Sequence, residues 1–193
     1  MSILTSTDGG HTWVRHQGTA LDGQSVLEIV VDPTNANVAW AATGARGVFR
    51  TADGGTTWTA GAGLETASIM SLAVDPSNPT VLYAGTVASG VVKSTDGGVS
   101  WLTSSIGMDP AERVNALVVD PSRPTVVYAG TNFSGVYVSV DAGATWTLYN
   151  TGLDVRVVQT MAIAADGNTL YAGTGGGGVF GLGPLWSTPA TLP

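Results

Sequence analysis

Short apolar runs separated by Gly, Pro, Asn and Ser fill this chain, and they recur in a fixed order. "VLEIVVDP", "IMSLAVDP" and "VNALVVDP" are followed in turn by "VAWAATG", "VLYAGTV" and "VVYAGTN", then by "GVFR", "GVVK" and "GVYV". A polar phrase ending on tryptophan comes next: "TADGGTTW" at 51–58, "STDGGVSW" at 94–101 and "SVDAGATW" at 139–146. An extra copy, "STDGGHTW" at 6–13, precedes the first full set, and an incomplete set, "VQTMAIAADGNTLYAGTGGGGVFGL", follows the last. The repeat length is about 44 residues.

Runs this short, rich in β-branched and aromatic residues and bounded by turn formers, predict strands. No segment carries apolar residues at three-and-four spacing over three turns, so helices are not expected. Four strands per unit, here lettered A to D from the inside outward, at a period of roughly 40 to 50 residues, define a blade of a β-propeller. The A runs are almost wholly apolar, as befits an innermost strand buried between neighbouring blades. The expected fold is therefore all-β, with four-stranded antiparallel blades, about four in number or part of a larger propeller. The units run 1–24 (a C–D remnant), 25–67, 68–113, 114–156 and 157–183 (partial), with a tail at 184–193. Three closures are open: residues 2–16 complete the last blade, the chain belongs to a larger ring, or two chains join through unpaired edges.

The tryptophan phrase reads as the turn from strand C to strand D. In the first copy Asp8 and Ser6 can accept hydrogen bonds from turn N–H groups, Gly10 supplies a positive φ, and Trp13 lays its ring over the turn. The same roles fall to Thr51, Asp53, Gly55 and Trp58, to Ser94, Asp96, Gly98 and Trp101, and to Ser139, Asp141, Gly143 and Trp146. This Ser/Thr-x-Asp-x-Gly-x-Thr-Trp pattern resembles the Asp-box, or BNR repeat, of sialidases, sortilin-type receptors, xyloglucan-active hydrolases and the photosystem II assembly factor Ycf48. Ser100 replaces Thr in the third copy and Ala142 fills a variable position in the fourth. The resemblance extends through the "VDP" and "YAGT" phrases, nearest the xyloglucanase, sortilin and Ycf48 branch. It implies a propeller and an extracellular or periplasmic setting, and it marks fold far more than activity.

Composition narrows the function. The net charge is −7, with Lys93 and six arginines as the only basic side chains, so no groove for nucleic acid is expected. There is no cysteine, hence neither disulfide nor thiolate metal site, and two histidines, His11 and His16, make no multi-histidine metal site. No cofactor is expected. The N-terminal residues have neither the basic nor the apolar region of a signal peptide, and no apolar run reaches the ~20 residues of a membrane-spanning helix. "GTGGGG" at 173–178 satisfies a dinucleotide-binding pattern but leads into a strand, so it reads as a tight turn.

Propeller ligands meet the face built from B–C and D–A connections, opposite the C–D turns. The B–C turns offer Arg46, Asn132 and Phe133; the D–A connections offer Asp109, Glu112, Arg113, Asp154 and Arg156, with Asp22, Gln24 and Glu65 beside them. Glu28 interrupts an A strand where the equivalent positions hold Ser71, Ala116 and Thr160; its carboxylate is either a buried acid with a raised pKa or, the favoured expectation, a group solvated by channel water. A sialidase would need an arginine cluster and the Arg-Ile-Pro signature, which is missing. A xyloglucanase-like hydrolase would need two carboxylates about 6.5 to 9.5 Å apart across a cleft for inversion, and nothing in the sequence selects such a pair. The sequence leans to a noncatalytic binding or scaffold module for a glycan or a protein. The alternatives are part of a glycoside hydrolase and a Ycf48-like assembly factor.

Overall fold

Each repeat unit folds as one antiparallel sheet in the computed structural model, which describes residues 3–183; the proposed tail at 184–193 lies outside the described residues. The first full blade comprises β3 (Val26–Asp32), β4 (Asn35–Thr43), β5 (Val48–Thr51) and β6 (Thr59–Ala60), hydrogen-bonded in that order. The second is β7 (Ile69–Val74), β8 (Leu82–Thr86), β9 (Val91–Ser94) and β10 (Leu102–Thr103). The third is β11 (Val114–Val119), β12 (Val127–Thr131), β13 (Val136–Ser139) and β14 (Thr147–Leu148). Ahead of them β1 (Ile3–Thr5) and β2 (Val14–His16) pair as a hairpin, and behind them β15 (Val158–Ile163), β16 (Leu170–Thr174) and β17 (Gly178–Leu182) form a three-stranded sheet. β3 lies beside β7, β7 beside β11 and β11 beside β15, so the A strands line the inside of an arc.

Alternation along the strands places one set of side chains against each neighbouring blade. Trp40, Val48, Leu72, Val92 and Trp101 share the core between the first and second blades. Tyr83, Val91, Leu117, Tyr137 and Trp146 repeat that arrangement between the second and third. Tyr128, Val136, Val158, Leu170 and Ala172 close the third against the last sheet. The glycine of "YAGT" is required by this packing: a Cβ on Gly130 would stand 2.5 Å from Val158 Cγ1 of the next blade.

The C–D turns are held by bonds from Ser or Thr and Asp side chains to the turn backbone. In the third unit's copy, Asp96 Oδ1 accepts from the Ser100 amide at 2.9 Å and Oδ2 from its hydroxyl at 2.5 Å, while Ser94 Oγ accepts from the Gly98 amide at 2.9 Å. Asp8 and Asp53 make the same bonds to Thr12 and Thr57. These bonds, led by the Thr or Ser hydroxyl, hold the carboxyls of Asp8, Asp53 and Asp96 down at about 2. Gly98 adopts φ +85°, and a Cβ there would meet Trp40 Nε1 at 2.6 Å. The turns of the second and third full blades are each clasped by the preceding blade: Trp40 Nε1 donates to the Gly97 carbonyl at 2.7 Å, and the Tyr83 hydroxyl to the Ala142 carbonyl at 3.0 Å. Ala142 itself sits at φ +56°.

The hairpin does not complete the last sheet. β1 and β2 pair only with each other, and Ile3 packs with Leu21, Phe49 and Trp58 on the first blade. Of the closures left open by the sequence, completion of the last blade by residues 2–16 is not the one the described residues adopt. Among the described residues both ends of the arc expose aromatic rings: Trp13 is 59% and Tyr171 49% exposed, whereas Trp58, Trp101 and Trp146 are 6%, 4% and 2% exposed.

Candidate functional site

The B–C turns and the D–A connections meet at one end of the blades, tied by a repeated bond. The amides of Gly47, Gly90 and Gly135 donate to the carbonyls of Ala67, Glu112 and Arg156, each at 2.9 to 3.0 Å. Every A strand starts here, and each carries a β-bulge at its second residue: the A–B register skips Leu27, Met70, Asn115 and Gln159. A bulge leaves one residue unpaired and re-aims its side chain. The four bulged residues, with Arg113 and Asn132, line a hollow of about 460 Å³ at the inside of the arc.

This hollow is held across three blades. Arg113 Nε donates to Asn115 Oδ1 at 2.9 Å, its Nη2 reaches Met70 Sδ of the preceding blade at 3.8 Å, and Asn115 Nδ2 donates to the Val158 carbonyl of the following one at 2.8 Å. One wall, Leu27 and Met70, is apolar; the other presents a guanidinium and the amides of Asn115, Asn132 and Gln159. The set offers hydrogen-bond donors and acceptors fixed in direction, with no nucleophile and no group that exchanges a proton near neutral pH.

Arg113 and Asn132 are the residues from the sequence reading that the structure brings into this hollow. Glu112, adjacent to Arg113, is buried and accepts from the Phe133 amide at 3.3 Å and the Ser134 hydroxyl at 2.5 Å, which fixes the neighbouring B–C turn. Phe133 projects from that turn into solvent. Asp109 caps its own loop by accepting from the Ala111 amide at 2.9 Å. Arg46, Asp154 and Arg156 are exposed and lie outside the hollow. Asp22 and Glu65 accept from the amides of Gly18 and Gly63 within their loops. Asp22, Glu65 and Asp109 each accept a backbone amide within their own loops, and Glu112 accepts one from the neighbouring turn.

Glu28 departs from its expected place in solvated channel. Its Oε2 accepts from the Leu72 amide of the next blade at 2.5 Å, and burial pushes its carboxyl above the usual range against the opposing effect of that bond. Leu27, Met70, Asn115 and Gln159 were missed by sequence reasoning. The only signal was their shared place one residue before Glu28, Ser71, Ala116 and Thr160, where polar and apolar types alternate without pattern.

No protein-family model matches the chain, and no curated protein matches it. Solved structures do match. An ancestral GH74 enzyme superposes with a TM-score of 0.74 at 25% identity, over 89% of this chain and 24% of its own. The GH74 xyloglucanase from Xanthomonas campestris gives 0.66 at 19% identity, over 86% of this chain and 31% of its own. YCF48 bound to D1 peptide gives 0.53 at 19% identity, over 78% of this chain and 48% of its own. The fold is that of a β-propeller, and this chain spans less than a third of the length of the two GH74 enzymes. No helix among the described residues is long and apolar enough to cross a membrane.

Proposed function

We propose that this chain is an Asp-box propeller module that binds a glycan, without hydrolysing it, in the hollow lined by its bulged residues. The observation that carries this reading is the composition of the hollow: one guanidinium, three amides and two apolar side chains, with no carboxylate. Amides and a guanidinium suit sugar hydroxyls, and the exposed ring of Phe133, on the same turn as Asn132, offers a stacking surface beside them. The likeness to GH74 enzymes supports a β-glucan-type ligand, and family resemblance supports a setting outside the cytoplasm.

A second reading is favoured by the 25% identity to a GH74 enzyme: the chain is part of a hydrolase whose catalytic carboxylates are not paired by these residues. A Ycf48-like assembly role has the fold likeness alone behind it.

Calorimetric titration with xyloglucan oligosaccharides, alongside an assay for released reducing ends, separates the readings. The expected result is binding without release, weakened about tenfold by Gln159→Ala, equivalent to ~1.4 kcal/mol. Release of reducing ends supports the hydrolase instead, and absence of binding overturns the glycan reading.

A further inference from the structure

Matching positions are buried inside the array and bare at its two ends. Tyr171 stands in its sheet where Trp40, Tyr83 and Tyr128 stand in theirs; it is 49% exposed, and they are 1%, 0% and 2% exposed. Val179 is likewise bare, whereas its equivalents Val48, Val91 and Val136 are wholly buried. At the opposite end, Leu4 is bare where Phe49, Val92 and Tyr137 are buried, and Trp13 is bare where the other three turn tryptophans are buried.

The interior junctions show what these two sets do when they meet. Between the second and third blades, Tyr83 and Val91 lie in one core with Tyr137 and Trp146, and the Tyr83 hydroxyl bonds the turn carbonyl of Ala142. Between the first and second, Trp40 and Val48 lie with Val92 and Trp101, and Trp40 bonds the carbonyl of Gly97. Tyr171 and Val179 are one half of that junction. Leu4, Trp13 and the Gly9 carbonyl are the other half, Gly9 holding the place of Gly97 and Ala142.

We propose that the last sheet of one chain docks on the N-terminal hairpin of a second copy, reproducing the interior blade junction: Tyr171 and Val179 against Leu4 and Trp13, with the Tyr171 hydroxyl donating to the Gly9 carbonyl. A second copy supplies what each bare face needs, because each has the residue types that its equivalents bury against the other. The two faces differ, so the contact is heterologous: copies add head to tail and either close a ring or continue as a filament. Removing four large apolar side chains from water drives the association.

Light scattering on residues 1–193, from micromolar to sub-millimolar, tests this. The expected mass rises with concentration above the 19.5 kDa of one chain. Trp13→Lys and Tyr171→Lys each block one face, and both positions are exposed, so each variant alone is expected to remain a folded monomer by circular dichroism and scattering. An equal mixture of the two retains one competent face of each kind and is expected to form a dimer that grows no further. A mass that stays at one chain throughout overturns the proposal, as does self-association of either variant alone or a mixture that remains monomeric.

Discussion

Trp13 and Trp146 end the same eight-residue phrase, yet one is bare and the other is among the most deeply buried side chains in the molecule. The local turns are alike: Asp8 and Asp141 both bind the amide and hydroxyl of a threonine four residues on. What differs is the preceding blade, which clasps the second turn through Tyr83 and Lys93 and is absent beside the first. A turn of this kind is self-sufficient in hydrogen bonds, but its tryptophan stabilises the fold only through a neighbour.

Truncation should expose that difference most strongly. Trp146→Ala is expected to cost about 3 to 5 kcal/mol in urea unfolding, the usual range for a large aromatic removed from a core. Trp13→Ala, by the same measurement, should lie within about 0.5 kcal/mol of the parent in dilute solution. Equal costs would mean that the hairpin is as firmly held as an interior blade.

Glycine substitution sharpens the contrast at the turn itself. Gly98→Ala combines a left-handed φ with a collision against Trp40 and should lower stability by about 2 kcal/mol or more. Gly10→Ala, at the equivalent place of the first turn, meets the same backbone strain with only an ordinary contact to Trp13 at 3.8 Å, so a loss of about 1 kcal/mol is expected. A smaller loss at Gly98 than at Gly10 would place the collision, and hence the clasp, in error. Tyr83→Phe removes only the bond to Ala142 and should cost about 1 kcal/mol.

The carboxylates give the smallest effects and opposite signs. Asp8, Asp53 and Asp96 are held at about 2, so the folded state resists protons that the unfolded chain takes up. Their contribution is present above the ordinary carboxyl range and should be lost as pH falls from about 4 toward 2, read as a falling melting temperature. Glu28 runs the other way: its raised carboxyl favours the protonated folded state, a contribution lost as pH rises through its folded value. Glu28→Gln keeps an acceptor for the Leu72 amide, and should raise the melting temperature slightly at pH 7 and leave it unchanged at pH 3. A lowered melting temperature at pH 7 would show that the charge, rather than the hydrogen bond, holds the two A strands together.

Arg113 and Glu112 show how much of the site could be read in advance. Both stood out as charged residues in one D–A connection, and their types and spacing gave no means of separating them. Only the fold shows that Glu112 turns inward to fix the Phe133 turn while Arg113 reaches the hollow. Leu27, Met70, Asn115 and Gln159 left even less trace, since a bulge is a feature of strand pairing and not of strand composition.

The sequence by itself determined the blades, their four-strand order and the chemistry of every C–D turn, because those depend on contacts within a few residues or on strict alternation along one strand. The tertiary structure alone decided which tryptophan is buried, which side chains surround the hollow, what Glu28 bonds, and that Trp13 and Tyr171 stand exposed at the two ends of the described residues. Each of these depends on residues a whole repeat or more apart, brought together by the stacking of one blade on the next.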